Sequence, residues 1–262
     1  MEVMVVGNMI FNTVIIEVTR RCNMSCPHCL RGDAQNIDID LYILESFLSS
    51  LSGSYARELL FTGGEPSLNP KAIRKAIELT RKYNIIVGDF TMISNGKGYT
   101  NEVINVINSV PNFWVDISLD SYHSKLSDRD YEQLSKVRNL LSKENNATDG
   151  NILWKLGKAD ENNIGDYQDL RDYMRFSVYH DNLILLTNLV CTCNGDVLKD
   201  CNYGFHDDSI CQLRLCDYDD DIISEIESEV GDSGMYRLET MSKIGSIMYK
   251  FFEQLKKRGI NI

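Results

Sequence analysis

Apolar and polar positions alternate along this chain with two different periods, and each change of period marks an element. Residues 13–18, TVIIEV, are apolar and β-branched and read as a strand. Residues 38–51 carry Leu41, Leu44, Leu48 and Leu51 at helical spacing behind an aspartate-rich start, which predicts a helix. The apolar run 59–61 is a second strand. Asn69 as N-cap and Pro70 in the first turn open the next helix, with Ile73, Ala76, Ile77 and Thr80 on one face. A strand over 85–93, a helix capped by Thr100 and carrying Val103, Ile104 and Ile107, and a strand over 113–119 follow. A helix over 129–141 and a strand over 152–156 extend the alternation. Five βα units in succession imply a parallel sheet with right-handed crossovers. The expected fold class is therefore α/β, with the sheet open or curled into a partial barrel.

In such sheets chemistry collects at the carboxyl ends of the strands. The first strand runs straight into RCNMSCPHC, which sets Cys22, Cys26 and Cys29 within eight residues. The second ends in FTGGEP, where Gly63 and Gly64, ahead of Glu65 and Pro66, let backbone approach a ligand closely. The third ends in Ser94-Asn95-Gly96 and the fourth in Ser118-Leu119-Asp120-Ser121-Tyr122-His123. Ser94 and Asn95 read equally well as a plain turn before Gly96, and His123 as a cap on local backbone.

Past residue 180 the pattern changes. Residues 183–193 are mainly apolar or β-branched, Asn194-Gly195 is a type I′ hairpin signal, and 196–200 read as the return strand. Cys191 and Cys193, two apart on a strand, would face the same side, with Cys201 near the foot of the partner strand. Cys211 and Cys216 follow in a loop, and residues 222–262 read as helix with Ile244, Ile247, Met248, Phe251 and Leu255 on one face. The expected organisation is a core over 1–180, a cysteine-rich extension over 181–218 and a helical segment over 219–262 packed on the core.

With 262 residues, 43% of them hydrophobic, the chain can bury a sizeable core. A net charge of -11 repels phosphate backbones, which argues against nucleic acid as a partner. Glu2 stands where a signal peptide would be basic, and Gly7, Asn8 and Asn12 interrupt the apolar start, so neither secretion nor a membrane is expected and the cytoplasm is. Eight cysteines in a reducing compartment point to metal ligands or catalytic thiols rather than disulfides. Three close thiolates with one coordination position open suit a 4Fe-4S cluster whose fourth iron takes a substrate. A zinc site using His28 is the rival, although His28 is tethered too shortly between Cys26 and Cys29 for easy tetrahedral geometry.

Cys22-x3-Cys26-x2-Cys29 after the first strand, joined to Gly63-Gly64-Glu65-Pro66 after the second, resembles the radical S-adenosylmethionine (radical SAM) enzymes over roughly residues 13–160. The resemblance implies a partial (β/α)6 barrel, a 4Fe-4S cluster on Cys22, Cys26 and Cys29, and S-adenosylmethionine chelating the remaining iron. The backbone of Gly63 to Glu65 would hold the amino group of that cofactor. A one-electron donor such as flavodoxin or ferredoxin would drive its cleavage to a 5'-deoxyadenosyl radical, which abstracts hydrogen from substrate. The same resemblance puts Ser94 and Asn95 at the ribose, Ser118 and Asp120 at the next strand end, and His28 near the adenine. Lys155 and Lys158 are candidates for the cofactor carboxylate, or else solvated lysines. The hairpin CNGDVLKDC resembles twitch or SPASM extensions, which implies an auxiliary 4Fe-4S cluster on four of Cys191, Cys193, Cys201, Cys211 and Cys216, with zinc as the alternative. Relatives with such extensions mostly modify peptides, so a peptide is the expected substrate. A sugar, nucleoside or cofactor precursor is the runner-up, and a zinc-binding interaction protein the non-enzymatic alternative.

Overall fold

A computed structural model of the chain describes residues 9–141, 155, 157–165, 178–180, 183–198 and 209–212. β1 (Met9–Thr19), β2 (Tyr55–Gly63), β3 (Ile86–Ser94), β4 (Phe113–Ile117) and β5 (Leu140–Leu141) pair in parallel in that order. The helices α1 (Leu41–Ser50), α2 (Pro70–Lys82) and α3 (Asn101–Asn108) carry the first three crossovers. Period-two alternation sends Val14, Ile16 and Val18, Leu59 and Phe61, Phe90 and Met92, and Phe113 and Val115 into one buried cluster with helix residues such as Leu44, Phe47, Ile73 and Val103. Within it the rings of Phe61 and Phe113 stack at 5.7 Å and those of Phe90 and Phe113 at 6.2 Å. Ile15, Val190 and Leu198 form a separate small cluster with Leu60.

Strand ends are tied to helix starts by single polar side chains. Asn69 caps α2 by accepting the Ala72 N–H at 3.2 Å, and its amide donates to the Val18 carbonyl at 2.8 Å. Thr100 caps α3 as its sequence position predicts. The short helices α4 (Asp128–Leu134) and α5 (Lys158–Glu161) follow, α4 with a Ser127/Asp130 capping box.

On its other edge β1 pairs in parallel with β7 (Leu183–Cys191). β7 pairs antiparallel with both β6 (Val178–His180) and β8 (Asp196–Leu198), and β8 pairs antiparallel with β9 (Ser209–Gln212). Among the described residues the sheet is not closed, and no helix is long and apolar enough to cross a membrane.

Two expectations differ from what is observed. The helix anticipated over 129–141 stops at Leu134, and Leu140–Leu141 joins β4 instead. Asn108 and Asn139 enforce the change, because their side chains bond Lys136 O, Arg138 N, Pro111 O and Phe113 O. The hairpin exists, but Asn194 keeps a negative φ while Gly195 is at +89°. Gly195 N–H bonds Thr192 O at 3.0 Å, so Cys193 and Asn194 are the turn centre and Gly195 the left-handed residue of a three-residue loop. The strand expected over 152–156, apart from Lys155, the helix over 222–262, and Cys201 and Cys216 lie outside the described residues.

Replacing Asn69 by Ala removes both a helix cap and a buried bond to β1, and should lower stability by about 2 kcal/mol in urea unfolding.

Candidate active site

The site is built where β1 and β2 end. Thr19 turns the chain after β1, its hydroxyl bonding Asp38 Oδ1 at 2.6 Å and accepting the Arg21 N–H at 3.1 Å. The loop beyond holds Cys22, Cys26 and Cys29 as half-buried free thiols. It coils tightly, with Cys29 N–H on Cys26 O and Gly32 N–H on Cys29 O, both at 3.3 Å, and Lys158 N–H on Cys29 O at 2.9 Å. Burial pushes the Cys26 thiol up to about 11, with Cys22, Cys29 and Asp120 adding to the rise and Lys158 opposing it. The Cys22 thiol is also raised, first by burial and then by Glu65 and Cys29, against the N–H groups of Met24 and Asn23. Cys22 and Cys26, raised by burial and by neighbouring thiols, favour the protonated form when metal-free and release the proton to a metal.

The loop after β2 lies directly against the cysteine loop. Gly64 N–H bonds Thr19 O and Glu65 N–H bonds Arg21 O, each at 2.7 Å. A Cβ on Gly63 would stand 2.0 Å from Thr19 O, and one on Gly64 2.3 Å from Arg21 O. These glycines thus permit a close approach of one loop backbone to the other. Pro66 opens a buried single turn, Pro66–Leu68, stopped by Asn69.

Glu65 is fully buried and organises the next strand end. Its carboxylate accepts Ser94 Oγ and Asn95 N at 2.8 Å and Ser67 N at 3.0 Å. Burial raises its pKa, and the donors of Ser67, Asn95 and Ser94 pull the other way. Ser94 Oγ also receives Gly96 N–H at 3.0 Å, and Ser118 N–H bonds Ser94 O at 2.8 Å. The Asn95 amide bonds Asn23 Oδ1 at 2.8 Å and stands 3.8 Å from Cys22 Sγ. One set of bonds thus makes the turn before Gly96 and also presents Asn95 to a thiol.

Glu17, the one charge in TVIIEV, was not singled out by sequence reasoning. It is completely buried, 2.9 Å from an Arg31 nitrogen and 3.3 Å from Arg20 Nε, and it accepts Cys193 N–H at 2.9 Å. Cys193 Sγ lies 3.0 Å from Glu17 O, and burial, followed by Glu17, holds that thiol far above its ordinary pKa. Arg20 and Arg31 line an open cleft with the three cysteines, Gly64 and Lys158. Lys158, which contacts Asp33 and reaches Ser25 Oγ at 3.2 Å, is thus at the site, whereas Lys155 contacts Asn163.

His28 faces Asp120 at 3.5 Å, with its ring 4.9 Å from Tyr122 and 5.0 Å from His123. Burial lowers its pKa, against the pull of Asp120. Burial acts to raise the Asp120 carboxyl, but His123 and the Tyr122 N–H outweigh it and hold the group below its ordinary value. Cys191 is buried, and its register partner Val197 pairs in turn with Cys211, which sets these three positions in a row across β7, β8 and β9.

A family model described as the Radical SAM superfamily matches residues 16–146. YydG of Bacillus subtilis (strain 168), named for peptide biosynthesis, is 28% identical over 137 residues, covering 49% of this chain and 40% of its own length. GTP 3',8-cyclase of Chlorobaculum tepidum is 41% identical over 59 residues, 22% of this chain and 18% of that protein. The chain thus spans less than half the length of these curated relatives. Among solved structures, anSMEcpe with bound AdoMet and Kp18Cys peptide aligns with a TM-score of 0.52 at 15% identity, covering 82% of this chain and 80% of that one, a likeness of fold.

Gly64→Ala drives a methyl group into the Arg20–Arg21 backbone and shifts the start of the cysteine loop. It should cost about 2–3 kcal/mol in urea unfolding and roughly halve the iron taken up per chain on anaerobic reconstitution.

Proposed function

The chain belongs to the Radical SAM superfamily, and from that premise we propose that it modifies a peptide, with its cluster on Cys22, Cys26 and Cys29. Enzymes of this superfamily use a 4Fe-4S cluster and S-adenosylmethionine, which when bound supply one-electron cleavage of the sulfonium and a 5'-deoxyadenosyl radical that takes hydrogen from substrate. The donor set fits such a cluster. Cys22, Cys26 and Cys29 line one cleft beside Gly64, and three thiol ligands leave the fourth iron of a cubane open to a cofactor. This three-thiol lining is the observation that carries the assignment over zinc.

The remaining residues hold and tune. The Gly63 to Glu65 backbone, pinned to Thr19 and Arg21, is assigned to the amino group of the cofactor. The Asn95 amide stabilises the Cys22 thiolate, as outer-shell donors do. Arg20, Arg31 and Lys158, which line the cleft, supply positive charge to the anionic cluster and the cofactor carboxylate. Ser118 and Asp120 close the β4 side. The name of the Bacillus relative supports a peptide substrate, while the shorter match to GTP 3',8-cyclase is what favours a small molecule as the second reading. Cys191, Cys193, Cys201, Cys211 and Cys216 are assigned to an auxiliary 4Fe-4S cluster, and a small electron-transfer protein of the flavodoxin or ferredoxin kind to reduction.

Replacing Cys22, Cys26 and Cys29 together by Ala should abolish 5'-deoxyadenosine formation and lower iron from about eight to about four per chain. Retained 5'-deoxyadenosine would sink the assignment, and zinc in place of the remaining iron would make the later cysteines a structural metal site. For the substrate class, short peptides should stimulate 5'-deoxyadenosine release and change mass, whereas stimulation by sugars or nucleosides alone would move the reading to a small molecule.

A further inference from the structure

Beside the thiols, three side chains converge from two loops. His28 comes from the cysteine loop, and Asp120 and His123 come from the turn after β4. One nitrogen of each imidazole and one carboxylate oxygen all lie within 4.8 Å of one another, the only such group of three among the described residues. The side chains are 12%, 21% and 14% exposed, and the two imidazole rings meet edge to face at 5.0 Å.

Hydrogen bonding and charge pairing account for only part of this cluster. His123 Nδ1 is 2.8 Å from Asp120 Oδ1, yet it makes no aligned bond there, and Nδ1 of both histidines is buried without a hydrogen-bond partner. Asp120 Oδ1 already receives the N–H groups of Tyr122 at 2.8 Å and His123 at 3.0 Å. A buried polar atom left in this state costs about 1–3 kcal/mol, and an ion bound through His123 Nδ1 would offset that cost at this nitrogen.

The spacing suits such an ion. His123 Nδ1 stands 2.8 Å from Asp120 Oδ1 and His28 Nε2 3.5 Å from Asp120 Oδ2, so the carboxylate lies between the two imidazoles within reach of an ion bound to either. We propose that His28, Asp120 and His123 bind a divalent transition-metal ion of the zinc class, distinct from the iron of the cysteine loop and with at least one coordination position open. Two imidazoles and one carboxylate are the ligand types that such ions take in preference to calcium or magnesium. The ion would tie the middle of the cysteine loop to the end of β4. It would also neutralise the carboxylate that faces Cys26.

The proposal does not rest on the radical chemistry, and its test separates the two. Full-length protein, anaerobically reconstituted with iron and sulfide so that its thiols are occupied, is dialysed against cobalt(II). About one cobalt per chain should bind beyond the iron, with ligand-field bands and no thiolate-to-cobalt charge transfer. His123→Ala and the isosteric Asp120→Asn, each at wild-type iron content, should weaken that binding by at least about tenfold. No cobalt beyond the iron, unchanged affinity in both variants, or a thiolate charge-transfer band on the bound cobalt would overturn the site. An absence of iron would instead count against the cluster assignment, and cobalt binding that stays sensitive to Asp120→Asn would still uphold this one.

Discussion

The whole site depends on two loop backbones touching without side chains between them. Gly63 and Gly64 lie so close to Thr19, Arg20 and Arg21 that any Cβ would fall inside backbone atoms. Because that contact includes the 2.7 Å bonds from Gly64 and Glu65, the end of β2 fixes where the cysteine loop begins. The parallel pairing of β1 with β2 delivers both strand ends to one level, and the contact converts that level into a fixed placement of Cys22.

Two buried carboxylates then extend the order outward by different means. Glu65 is surrounded by neutral donors, so it draws Ser94 and Asn95 into position and keeps a raised pKa. Glu17 is surrounded by cations, and it joins the far end of the cysteine loop, through Arg31, to the hairpin, through Cys193. A buried charge is tolerated only with such partners, and removing one costs about 3–5 kcal/mol. The sheet thus positions the loops, and the carboxylates lock them.

Much of this was legible because its causes are local. The strand at 13–18, the caps at Asn69 and Thr100 and the order of the βα units follow from period and capping chemistry within a few residues. The misses have distant causes. Val137, Leu140 and Leu141 prolong the helical spacing of Leu134, but Asn108, brought alongside by α3, and Asn139 break the helix, and the open edge of β4 takes up Leu140 and Leu141 as a strand. Asn194-Gly195 carries a strong local turn signal, but bonds between Thr192 and Asp196 shift the turn by one residue. Glu17 looked like an ordinary polar position because Cys193 lies 176 residues away in the chain. Lys158 lines the cleft and Lys155 contacts Asn163, a difference that no residue pattern in their shared segment records.

β1 is hydrogen-bonded on both sides, to β2 and to β7. A fragment ending before β7 would present its longest strand as a bare edge, with a row of unmatched amides and carbonyls from Met9 to Ile16. Such an edge recruits other strands, so that fragment would be prone to self-association. The hairpin segment therefore acts as the edge guard of the sheet, whatever its cysteines bind.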